Sequence, residues 1–261
     1  MCASHHEGPN WTREDNPLRS LLPLFVAPFV GSFLGVLIRR YPRSQPVALD
    51  RSRCETCGHA LSPAEMVPII SFLLLRGRCR LCRAPIARFH LIIEIGALAI
   101  AAWAAAVQID PLGLWLSCIL GWSLLALAWI DSEHMLMPDV LTLPLILFGM
   151  AATLLQEPED MLNHAVGAAI GYLAFRVIAW LYKSIRGHDG LGQGDAKMLG
   201  AAGAWVSWAA LPVLVLTAAL AALAMTLVAV AAGRRIHGRT ALPFGPFLAG
   251  ALWIIWLYRP S

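Results

Sequence analysis

With 261 residues, 58% of them hydrophobic and only 14% charged, and a mean hydropathy of +0.65, the chain has too little polar surface for a soluble domain of its size. The net charge of +4 is modest. It follows from where the bases sit relative to the apolar runs, so nucleic acid is not needed to explain it.

Apolar runs of about 20 residues can cross the roughly 30 Å hydrocarbon core of a bilayer as helices. Eight are expected, over 18–38, 89–109, 111–130, 139–156, 161–183, 195–208, 209–232 and 240–258. The sixth is interrupted by Gly200 and Gly203 and runs into Pro212, so 195–232 could instead be one bent span with a re-entrant portion. The polar stretch before Pro17 is mixed in charge, and the first run ends in Arg39-Arg40, so no cleavable signal sequence is evident. The expected fold is therefore an all-α polytopic membrane protein. Its expected parts are a leader with the first span (1–38), a small inserted domain (39–88) and a helical membrane domain (89–261).

The inserted segment is basic and proline-rich, and contains Cys54-Glu-Thr-Cys57 and Cys79-Arg-Leu-Cys82. Two such pairs separated by 21 residues match a zinc ribbon, each pair forming one knuckle of a tetrahedral four-thiolate site. Four protein ligands leave no open position, so a zinc ion there is structural and supplies folding energy that so small a core lacks. Two disulfides are the competing arrangement, disfavoured if the segment faces a reducing compartment. His59 could be a spare ligand but is more simply a solvated loop residue. Cys118 is a small apolar residue in a helix, and Cys2 is isolated. Glu94 lies shallowly inside the second span and should face protein, where pairing with a loop arginine is as good an expectation as a binding role.

Of the 20 Lys and Arg residues, 16 fall in alternate connections: ten from Arg39 to Arg88, then Lys183, Arg186 and Lys197, then Arg234, Arg235 and Arg239. The other connections carry Asp110 or Glu157-Pro-Glu159-Asp160 and no base. The positive-inside rule makes the basic set cytoplasmic.

Two acids lie at that face. Asp131 follows the run 112–130, and Asp195 sits in Gly190-Leu-Gly192-Gln-Gly194-Asp195-Ala-Lys197 at the start of another. An ionisable group beside a bilayer is costly unless paired, hydrated or functional. Taken alone, the second segment could be a glycine-rich turn whose Asp caps the next helix. With Asp131 obeying the same rule, the two form a candidate carboxylate pair, one member activating water and the other donating a proton to a peptide carbonyl. The glycines would allow close approach of a peptide. Asp139, after Pro138, looks like the N-cap of the helix that follows.

These residues together resemble the type IV prepilin peptidases. Gly31-Ser-Phe-Leu-Gly35 through Arg39 is similar to the family's first-span motif, with Gly35 where Asn is common. The cysteine pairs and Arg88-Phe-His-Leu-Ile-Ile-Glu94 resemble its zinc domain and the helix after it. Ile130-Asp131 through Pro138-Asp139 and Gly192-Gln-Gly194-Asp195-Ala-Lys197 resemble its two catalytic segments, and Leu242-Pro-Phe-Gly-Pro-Phe247 its last-span signature. The resemblance implies removal of the basic leader from prepilins or pseudopilins at the cytoplasmic face of a bacterial inner membrane, with Asp131 and Asp195 catalytic and membrane lipids as surroundings. It also implies, for members that keep the zinc domain, N-methylation of the product with S-adenosylmethionine. Gly77 matches a position linked to methylation, and Glu94 is a second candidate. A proton-coupled transporter and a non-catalytic zinc-ribbon adaptor remain as alternatives. The first should place its acids near the midplane and show internal repeats, and the second needs no acids.

Overall fold

The computed structural model describes residues 17–47, 52–54, 56–187, 192–233 and 242–259, with side chains from residue 21 onward. Cys2, Gly190, Arg51, Arg234, Arg235 and Arg239 lie outside the described residues. The regular elements are helical: α1 (Pro17–Arg40), the short α2 (Ile70–Leu74), α3 (Arg88–Val107), α4 (Pro111–His134), α5 (Asp139–Gln156), α6 (Met161–Arg186), α7 (Gln193–Ala231) and α8 (Gly245–Leu257).

Six of these helices (α1 and α3 to α7) are long and apolar enough to cross a membrane; α8 is apolar but only 13 residues long. Large apolar side chains such as Phe25, Leu147, Leu162, Trp180 and Val228 point outward. In a chain of this hydropathy those surfaces face lipid, where backbone polar groups must be satisfied within helices. The chain is a multi-pass membrane protein.

The sixth and seventh expected spans are joined in one 39-residue element, α7, whose backbone leaves helical geometry at Ser207 (φ 66°, ψ 167°). The chain reverses there. Gly194 and Gly245 both pack on Met137, and Trp205 stacks edge-on against Trp256 at 4.9 Å, so the first half of α7 runs parallel to α8. Thr217 and Ala221 then line a crevice with Phe247, Gly250 and Ile254, which puts the second half back beside the same helix. Pro212 lies five residues after the break, where its missing N–H removes one hydrogen bond near the start of the second half.

Small residues set the helix spacing. A Cβ on Gly31 would lie 2.7 Å from the Cα of Glu94, which fixes the approach of α1 to α3. A Cβ on Gly203 would run into the carbonyl of Gly167, where α6 crosses α7 backbone to backbone. In lipid, where apolar burial gives little net drive, such close contacts carry much of the helix association. Beside this crossing, buried His164 on α6 places Nδ1 3.0 Å from the carbonyl oxygen of Ala204. Trp256 on α8 donates to Ser117 Oγ on α4 at 2.9 Å.

Gly203→Leu should therefore lower stability by about 3 kcal/mol or more through overpacking, whereas Gly250→Leu, with open space around it, should be near neutral. Reversible unfolding in mixed detergent micelles measures both, and equal effects would disprove the close crossing.

Candidate functional site

Three helix ends meet at one end of the bundle. Asp131 lies in the last turn of α4, a turn closed by Met135 in left-handed geometry (φ 51°), whose amide returns to the Asp131 carbonyl at 2.9 Å. Asp195 lies in the first turn of α7 and accepts from the amide of Gly192 at that helix's N-cap position. The side chain thus reaches back as an N3 acid does in a capping box. It also feels the charge of Asp131, so the capping geometry and the paired-acid geometry hold together. Both carboxylates are buried, at 6% and 8% exposed.

The third end is that of α8. Its first residue, Gly245, donates its amide to Asp131 Oδ2 at 3.0 Å. The amides of a helix's first turn have no partner within the helix, and the dipole there favours negative charge. A Cβ at 245 would come within 2.6 Å of Asp131 Oδ2, so only glycine permits this approach. Met137, 5% exposed, fills the space between Gly194 and Gly245, and a Cβ at 194 would lie 2.8 Å from its side chain. A Cβ at 192 would lie 3.2 Å from Asp195 Oδ2. Gly192 therefore adjoins Asp195, and Gly194 packs on Met137.

Asp139 is not the N-cap of α5. Pro138 holds the cap position without a side-chain cap, Asp139 is the first helical residue, and its carboxylate pairs with the ammonium of Lys197. This pair ties the start of α5 to the start of α7. It is solvent-exposed, which limits it to about 0–1 kcal/mol.

The four cysteines converge too. Their Sγ atoms all lie within 4.8 Å of one another, with Cys54–Cys82 at 3.8 Å and Cys57–Cys79 at 4.0 Å. Thiolates placed tetrahedrally at about 2.3 Å from a zinc ion would be roughly 3.8 Å apart, close to these two separations, so the set suits such an ion. None of the four is in a disulfide. The two knuckles repeat one another twenty-five positions apart. Cys54 and Cys79 each donate an amide to the carbonyls of His59 and Ala84 at 2.8 Å, while Gly58 and Arg83, both at positive φ, donate back to Cys54 and Cys79. The amides of Cys57 and Thr56 hold the Cys54 thiol down to about 6, while burial and the neighbouring thiols push Cys57 up to about 12, so the four thiols do not ionise independently. His59 is no ligand: its Nε2 lies 3.6 Å from Glu65.

Family models match both halves of the chain: the Bacterial Peptidase A24 N-terminal domain over residues 25–108 and the Type IV leader peptidase family over 118–227. A prepilin leader peptidase/N-methyltransferase of Burkholderia pseudomallei (strain 1026b) is 42% identical over 246 residues, covering 84% of this chain and 79% of its own. Proteins of the same name from Dichelobacter nodosus, 36% identical over 88% of each chain, and Pseudomonas aeruginosa, 32% identical over 91% and 90%, also match. The chain belongs to the type IV leader peptidase family. No solved structure matches it.

Within this leader peptidase fold, Glu94 faces protein, as expected of an acid in a span, but its partner is not an arginine. Its carboxylate accepts the amide of Ile69 at 2.7 Å. Ile69 has φ 60°, an outlying conformation for a β-branched residue. Glu94 therefore ties the cysteine segment to α3. Gly77 has φ 66°, and a Cβ there would lie 2.9 Å from the Phe72 ring, so both conformation and space demand glycine. Sequence reasoning missed the Gly245 amide and the Arg39–Glu133 ion pair at 3.5 Å, which links α1 to the turn carrying Asp131. Pro246 directly after a glycine was the available sign of a helix start at 245.

Glu94→Ala should leave the Ile69 amide without an acceptor, at a cost of about 1–3 kcal/mol. The expected result is faster tryptic cutting at Arg76–Arg83 than in wild type, with Glu94→Gln close to wild type. Equal protection in Glu94→Ala would show that the tie carries no weight.

Proposed function

We propose that this leader peptidase removes the leader from prepilins or pseudopilins with Asp131 and Asp195 as its catalytic pair, then methylates the new N-terminus using S-adenosylmethionine. The observation that carries the peptidase assignment is the burial of two carboxylates in each other's field at one end of the bundle. Two close carboxylates can share one proton. As water adds to the scissile carbonyl, the ionised member takes a proton from the water and the protonated member gives one to the carbonyl oxygen; proton return to the amine completes cleavage. The Gly245 amide keeps one Asp131 oxygen oriented throughout, and Gly192 and Gly194 leave room for an extended peptide. Asp139 and Lys197 support the site by joining α5 to α7. Neither a transporter nor an adaptor is favoured by the family names or by acids gathered at one end.

The four cysteines would hold a structural zinc ion in a domain over 39–88, apart from the membrane domain over 89–261. With α7 crossing twice about Ser207 and α8 crossing once, the chain would span an inner membrane eight times. The basic connections, the cysteines and the aspartates would then face the cytoplasm.

The test is purified protein incubated with a prepilin and the product weighed, which reports leader loss and any added methyl group together. Asp131→Asn and Asp195→Asn are each expected to cut cleavage by several powers of ten without loss of membrane insertion. Near-normal processing by either would remove the pair. Cys→Ser at 54, 57, 79 or 82, or strong chelation, should release about one zinc per chain and abolish methylation before cleavage. Full methylation by a zinc-free protein would exclude the structural role.

A further inference from the structure

The end of α4 and the turn into α5 change abruptly between open and closed surroundings. Ser132, Glu133, His134, Met135 and Leu136 are all exposed. Yet Asp131, directly before them, is 6% exposed, and Met137, directly after, is 5%. The turn therefore sends one side chain inward, and it arrives at the carboxylate pair. Two glycines mark its course. A Cβ on Gly194, the residue before Asp195, would lie 2.8 Å from Met137 Cβ and Cγ. A Cβ on Gly245 would lie 2.2 Å from Met137 Cε and 2.6 Å from Asp131 Oδ2. The thioether thus runs from the start of α7 to the start of α8 and ends beside the Asp131 carboxylate.

The backbone that carries this side chain is held on both sides. Met135 turns the chain at φ 51°, with its amide on the Asp131 carbonyl. Pro138 restricts the residue before it to extended conformations, and Asp139 is tied to Lys197 on α7. A thioether has no proton to give and is only a weak acceptor, so Met137 takes no part in proton transfer. What it can supply is exclusion. Two charges interact about four times more strongly at an effective dielectric constant of about 20 than in water at about 80. Carboxylates that share one proton need that interaction, and water admitted between them from the open turn would screen it.

We infer that Met137 is a positioning residue for peptide cleavage: its apolar side chain closes the acids off from the solvent at the turn, so that Asp131 and Asp195 act as one proton-sharing unit. The inference rests on the assignment of that pair as catalytic. It is distinct from filling a gap, because a polar side chain of the same length would fill the gap and still admit water. The unbranched chain, with three rotatable bonds, can also give way as an extended peptide enters.

The experiment compares Met137→Leu, Met137→Gln and Met137→Ala in the full-length protein in micelles, with a prepilin as substrate. Met137→Gln and Met137→Ala are expected to lower kcat about tenfold or more with KM within about threefold of wild type, and Met137→Leu to keep the wild-type kcat. Deuterium uptake reads the seal directly. Gly245 donates its amide to Asp131, and Pro243 and Pro246 have none, so a peptide over 242–247 reports few other sites. Its uptake should quicken in Met137→Gln and not in Met137→Leu. A kcat for Met137→Gln equal to that of Met137→Leu overturns the inference, as does a lowered kcat with unchanged uptake. Should Met137→Ala fail to fold, the Gln and Leu variants decide between these outcomes. If Asp131→Asn abolishes cleavage while Met137→Gln cleaves normally, only the seal falls; if Asp131→Asn cleaves normally, the pair falls and the seal with it.

Discussion

The end of the bundle that carries the site depends on keeping two carboxylates out of water within one another's field. Such an arrangement is expensive in a membrane protein, where neither bulk solvent nor a nearby base is at hand. Lys197, two positions from Asp195, is engaged with Asp139, and Arg39 with Glu133. Backbone amides take their place: Gly192 serves Asp195 and Gly245 serves Asp131. Both come from helix starts, where amides are unpaired in any case. The site is built largely from helix termini, and that is why α4 must end, and α7 and α8 begin, within a few residues of one another.

That convergence dictates the unusual course of α7. Its first turn must lie beside Asp131, and its second half must return beside α8, so the helix cannot continue straight past Trp205. Ser207 absorbs the reversal in a backbone conformation far from helical. The tight crossing of Gly167 and Gly203 lies directly beneath it, with Trp205 donating to the carbonyl of Leu145 at 2.8 Å on the other side. The break is thereby clamped from both α5 and α6. Glycines at the site and at the helix crossings serve one purpose, since each allows backbone to come where a Cβ would not fit.

Features that depend on side-chain type were legible in the sequence. Asp131 and Asp195 stood out because charge is rare in apolar runs, and the cysteines because their spacing suits few arrangements. Features that depend on backbone were not. Gly245 contributes an amide, which no residue type advertises. Asp139 after Pro138 has every mark of a cap, yet Lys197, 58 positions away, takes its carboxylate, a partner that only the packing of α5 against α7 supplies. The interruption of 195–232 was visible in Gly200, Gly203 and Pro212, but the residue that breaks the helix is a serine with no special propensity for it. Glu94 read as a membrane acid needing a partner; that the partner is a strained isoleucine amide could not be read from sequence.

The links between the cysteine segment and the membrane helices bear on how two chemistries could share one chain. A substrate whose hydrophobic helix stays in lipid cannot carry its new N-terminus far from the place of cleavage, so the methyl donor must be held within reach of Asp131 and Asp195. Two contacts impose that nearness. Glu94 pins Ile69, and with it α2, onto α3, while Arg39 joins the end of α1 to Glu133, two residues from Asp131. Arg39 also lies over the Phe89 ring at 4.1 Å, and Phe89 packs edge-on against Trp129 one turn before Glu133. A guanidinium held by a carboxylate and a ring face has little freedom to move unless one of them moves too. The end of α1, from which the cysteine segment departs, is thus held to the turn that carries Asp131 by two identified restraints, and any movement of that end away from α4 must break one of them.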